Sequence, residues 1–255
     1  MLGKLLKYDL RATAGTMLIS YVILLGYALI LQLAGLDLNF SNPYLDFQWI
    51  MRLFLYVGFV IVMVGVLLFT YVQILRRFYN NLFSAQGYLT NTLPVRPEAI
   101  LVSKVLMGVI WIAVTYLILM GCTAMLGTDL PAIARSVLFS NLRLALENTP
   151  TVYFVLTGIL LVLSPFASVL TFFACICLGQ LFSRLRVFAA VLIYLGWALV
   201  EGVLTSVATS IAYSVLETTA LGIWGLAFSI VYYVVVIVVF FLLCRMVLRR
   251  YLNLE

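Results

Sequence analysis

Six stretches of this chain run for about 18 residues or more with almost no charge, each long enough to cross a hydrocarbon core of about 30 Å as a helix. They cover 16–36, 53–75, 105–126, 152–182, 187–207 and 223–244. Of the 255 residues 65% are apolar and 9% charged, whereas a soluble domain is roughly 45 to 50% apolar and about a quarter charged. A water-soluble fold is excluded. The expectation is an all-α integral membrane protein, a single transmembrane domain over 1–255 with six crossings.

The net charge of +6 does not point to nucleic acid, because the basic residues lie scattered in short connections and form no patch. Their placement reports topology. With both termini in the cytoplasm, inner segments hold Lys4, Lys7, Arg11, Arg76, Arg77, Arg96, Lys104, Arg184, Arg186, Arg245, Arg249 and Arg250. Outer segments hold Arg52, Arg135 and Arg143 alone, which is the bias of a multi-pass protein of an inner or plasma membrane.

Residues 1–15 read as an amphipathic interfacial helix. Lys4, Lys7 and Arg11 recur on one side, toward lipid phosphates, with Leu2, Leu5, Leu6 and Leu10 opposite. The 16–36 run exceeds the apolar core of a signal peptide and no small-x-small cleavage site follows, so a retained first helix is expected.

Little here suggests catalysis. The chain has no histidine, and its four cysteines, Cys122, Cys175, Cys177 and Cys244, all sit in apolar runs as small buried side chains. Neither a disulfide framework nor a metal site is indicated. The phosphate loop G-x-x-x-x-G-K-[ST] is absent, the one Gly-Lys pair being Gly3-Lys4 followed by leucine.

Two features inside the spans stand out. Pro165 interrupts an overlong fourth run, where a kink or helix break is expected, either a tolerated bend or a hinge. Glu201 is the one acid well inside a span, nearer the outer end; it lines the exit of a substrate path, contacts a cationic substrate, pairs across a dimer, or is wetted at the outer rim. The long outer connection contains a periodic stretch, 133–146, that reads as a surface helix.

The inner connection 76–104 is far longer than a turn needs. Within it, 83–93 can form a short amphipathic helix, and Pro97-Glu98 then suits a helix start, with proline at the first position and an acid in the first turn. Its residues Gly87, Leu89, Leu93-Pro94-Val95, Ile100-Leu101 and Ser103-Lys104 resemble the ATP-binding cassette (ABC) type 2 permease family of bacterial exporters. Members commonly show a glycine, a nearby leucine, Leu-Pro-Val or Thr-Pro-Val, and an apolar turn ending in Ser-Lys or Gly-Lys. Where many relatives have an acid before that glycine, this chain has Gln86.

The resemblance implies a permease subunit, not itself an enzyme, with ATP and magnesium held by a separate nucleotide-binding ATPase subunit. Phe83, Ser84, Gln86, Gly87, Tyr88, Leu89, Leu93 and Pro94 then belong to a coupling helix between the second and third spans that docks on that ATPase. A second permease chain, identical or related, and an amphipathic substrate are the other implied partners. The plainer reading of 83–93 is an interfacial helix covering the bundle. A secondary transporter and a non-transporting immunity or sensor subunit are the alternatives to an exporter.

Overall fold

In a computed structural model of the protein, residues 2–33, 47–83, 97–125, 152–182, 185–215 and 218–251 are described. Among them the regular structure is entirely helical: α1 (Leu2–Leu33), α2 (Phe47–Phe83), α3 (Pro97–Met125), α4 (Val152–Gly179), α5 (Arg186–Val215) and α6 (Thr218–Tyr251). All six are long and apolar enough to cross a membrane, so the chain is a multi-pass membrane protein. Large apolar side chains such as Leu18, Val22, Ile30, Phe54, Leu161 and Leu199 stand exposed along the helices, as faces solvated by lipid should.

The helices are longer than the apolar runs that announced them. The amphipathic leader and the first span form one unbroken helix, since no proline interrupts Leu2–Leu33 and its three glycines are outweighed by strong helix formers. Pro165 does not break α4. It lies inside the helix, and one turn on, the Ser168 hydroxyl donates to the Pro165 carbonyl at 3.0 Å. The fourth span ends at Gly179 and not at 182, and residues 76–83 and 97–104 of the inner connection belong to α2 and α3.

The chain divides into two compact units, the first comprising Met1–Lys7, Leu75–Val109 and Pro150–Glu255, the second Tyr8–Ile74 and Ile110–Thr149. The second unit holds most of α1 and α2 and the later part of α3. On α1, Asp9, Thr13, Met17, Tyr21, Leu24, Ala28 and Leu31 are buried, a three-four spacing that makes one continuous stripe.

Hydroxyls join the three helices of this unit. Tyr21 Oη and Thr115 Oγ1 are 2.8 Å apart, Thr70 Oγ1 and Thr115 Oγ1 3.2 Å, and the Trp111 indole donates to Thr13 Oγ1 at 2.9 Å. Thr70 and Thr115 also donate to carbonyls one turn back, at 2.9 and 2.8 Å, which satisfies them within their own helices. Tyr27 closes the other end of α1 by donating to the Leu55 carbonyl at 3.0 Å and stacking on Phe59.

In the first unit α4 is central, packed most extensively against α6 and then α5. That explains why Ala167, Val169, Leu170, Thr171, Phe173, Ala174, Cys175 and Cys177 are buried on every side of the helix. The turn from α4 into α5 is tight, and Gly179 permits it. A Cβ there would lie 2.7 Å from the Arg186 carbonyl oxygen and 2.9 Å from the Ala190 nitrogen, so only glycine lets the two backbones approach.

Candidate functional site

The site singled out by sequence, the connection between the second and third spans, can be built from its two stems. Ser84, Gln86, Gly87, Tyr88, Leu89, Leu93 and Pro94 lie outside the described residues, and Phe83, the last residue of α2, lies within them. Both stems belong to the first unit, and each is fastened to one of its central helices.

The α2 stem is fastened by aromatic packing. Phe78 and Phe173 of α4 are fully buried, with ring centroids 3.8 Å apart and planes inclined by 7°. Phe83 meets Phe78 edge-on at 6.1 Å and also contacts Tyr79. Such ring pairs contribute about 0.5–1.5 kcal/mol beyond the area they bury, so the last turns of α2 are held to α4 by directional packing. Ile74, Phe78 and Leu82, spaced by four, form the buried stripe that presents them.

The α3 stem is fastened by charge. Glu98 Oε1 accepts from Arg245 at 2.8 Å and from Arg249 at 2.5 Å, both near the end of α6. Arg245 and Arg249 share one face of α6 because they are four residues apart. Each charge also suits its helix end, the acid in the first turn of α3 and the cations in the last turns of α6. All three side chains are partly exposed, so each pair contributes about 0–1 kcal/mol and serves mainly to fix geometry. Sequence reading took Glu98 as a helix-start residue and missed its partners, which lie about 150 positions away.

Beyond the stem, Lys104 and Ser103, the end of the family-like motif, are buried, and Ser103 Oγ has no hydrogen-bond partner. Lys7 and Arg11 are exposed on the leader helix, with Lys4 one turn earlier in the same helix. Asp9 between them is buried, a feature that the amphipathic pattern did not signal.

Glu201 lies in the first unit, partly buried on α5, with Tyr232 of α6 beside it. One turn earlier on the same face, Trp197 meets the Phe240 ring edge-on at 4.8 Å. The Trp197 Nε1 and Tyr232 Oη atoms are both shielded from solvent, and neither makes a hydrogen bond of normal geometry. A buried polar atom without a partner costs about 1–3 kcal/mol, a cost that Trp197 Nε1 carries one turn from Glu201. Pro165 lies within α4 and Glu201 within α5, both in the first unit.

The four cysteines are buried and free, Cys177 of α4 lying beside Cys244 of α6. Among the described residues no group of three or more histidine, cysteine or acidic side chains is placed to hold a metal ion. No family model, curated protein or solved structure matches the chain.

Proposed function

We propose that this chain is the permease subunit of an ATP-driven ABC exporter. In this reading residues 84–96 dock on a separate ATPase and both termini lie in the cytoplasm. One observation carries it: the helices on either side of 84–96 run far past the apolar stretches and are fastened to the central pair of the first unit. α2 is held by Phe78 on Phe173, and α3 by Glu98 on Arg245 and Arg249. A segment held at both stems passes a push to α4 and α6, whereas a loosely tethered cover would absorb it. The family-like residues from Gly87 to Lys104 supply the second support.

ATP and magnesium belong to the partner, since this chain contains no phosphate loop. The bilayer, a second permease chain and an amphipathic substrate complete the proposed assembly.

The test is purification in mild detergent followed by reconstitution with the ATPase that accompanies the chain. Gly87→Arg or Leu89→Arg should leave ATP hydrolysis running while transport stops, and Glu98→Gln should lower transport per ATP by loosening one stem. Recovery of an intact bundle with no ATPase, and transport that follows a proton or sodium gradient, would replace this reading with a secondary carrier.

A further inference from the structure

Inside the apolar part of the first unit, Glu201 of α5 lies beside Tyr232 of α6 and one turn from Trp197, and no basic side chain of the helix pair lies near it. Glu201 carries a carboxylate in the middle of α5, and an intramembrane acid ordinarily has a counter-charge. Here the two helices and their neighbour provide none. α4, which packs on both, contains no charged residue. The one cation of α5, Arg186, is fifteen residues away, about 22 Å along the helix. The cations of α6 begin at Arg245, thirteen residues beyond Tyr232, and that arginine is engaged by Glu98.

Around the carboxylate the walls are aromatic. Tyr232 stands beside it with Tyr233 at 5.7 Å from its ring, and Trp197 lies one turn along the same face of α5, against Phe240. Trp197 Nε1 is shielded with no hydrogen-bond partner, and Tyr232 Oη, likewise shielded, faces the Glu201 carboxylate. A hard metal ion needs six or more oxygen ligands, which one carboxylate and one phenol do not supply. Water could bond to Trp197 Nε1 but leaves the charge of Glu201 in place. An organic ammonium or phosphonium group answers both needs, since it neutralises the carboxylate and lies favourably against ring faces.

We propose that the α5–α6 pair holds a binding site for an organic cation, with Glu201 as its counter-charge and Trp197, Tyr232 and Phe240 as its aromatic wall. Glu201 and Trp197 are only partly buried, so such a ligand reaches them from the side of the helix pair. The site makes no use of 84–96, so cation binding and ATPase coupling succeed or fail independently.

The experiment uses the full chain in lipid nanodiscs, titrated with tetraphenylphosphonium and, separately, with tetraphenylborate, an anion of the same shape. Tryptophan fluorescence should report saturable binding of the cation alone. Glu201→Gln should weaken it by more than about tenfold, since it removes the ligand's counter-charge in an apolar setting. Glu201→Asp, which keeps the charge, should retain most of the affinity. On the unaltered protein a hydrophobic carbodiimide should modify Glu201, and saturating tetraphenylphosphonium should protect it, as read by peptide mass spectrometry. Equal uptake of cation and anion, Glu201→Gln binding like the parent protein, or carbodiimide labelling indifferent to the cation would each overturn the proposal.

Discussion

Replacing Gly179 by alanine tests a close backbone approach in the first unit. The added methyl would sit 2.7 Å from the Arg186 carbonyl oxygen, 2.8 Å from the Ala190 Cβ and 2.9 Å from the Ala190 nitrogen. Ordinary contact begins near 3.4 Å, so the start of α5 must retreat by about 0.7 Å. Two of the three obstructing atoms are backbone and cannot rotate away. Overpacking of this kind costs about 1–3 kcal/mol, and alanine at a helix end recovers only part of its usual advantage of about 1 kcal/mol over glycine.

Gly179→Ala should therefore unfold at clearly lower denaturant in a mixed-micelle titration followed by circular dichroism. Gly196→Ala on α5 is the matched control: nothing lies within 4 Å of its Cβ, and it should be neutral or slightly stabilising. Ala190→Gly removes only the 2.8 Å contact, so it should rescue Gly179→Ala in part. Full rescue, or equal effects at positions 179 and 196, would refute the argument that backbone approach makes Gly179 necessary.

Two further outcomes follow from other contacts. Gly58→Ala places a methyl 2.6 Å from the Tyr27 hydroxyl, displacing it from the Leu55 carbonyl with the loss of a bond worth about 0.5–1.5 kcal/mol. Tyr27→Phe frees the space, so the double variant should be no less stable than Tyr27→Phe alone in the same unfolding titration; additive losses would contradict it. Cys122, Cys175, Cys177 and Cys244 are all buried, so a hydrophilic maleimide should label none of them in the folded protein and all four after full denaturation. Rapid labelling of any one in the folded state would contradict its placement.

Helix number and approximate position were legible because both rest on local physics. A run of about 20 apolar residues must satisfy its own backbone in lipid, and helix is how a single run does so. The helix ends were less legible. The polar segment 76–83 continues α2 because it contains neither proline nor glycine, although hydropathy counts it as connection, whereas the start of α3 at Pro97 was announced by proline at the first position and Glu98 in the first turn. Pro165 likewise read as a candidate break, yet α4 continues through it.

The candidate sites divide in the same way. That a long connection separates the second and third spans, that its residues resemble an ABC permease, and that Glu201 is an acid inside a span could all be read directly from the chain. That Phe78 lies on Phe173, that Glu98 is shared by Arg245 and Arg249, and that Tyr232 of α6 stands beside Glu201 could not. In a soluble helix the apolar stripe marks the face that packs, but here lipid-facing and protein-facing sides are equally apolar. Sequence alone thus determined which segments enter the membrane, and only the tertiary structure decided which faces meet, because that choice rests on shape, aromatic geometry and a few polar contacts between residues far apart in the chain.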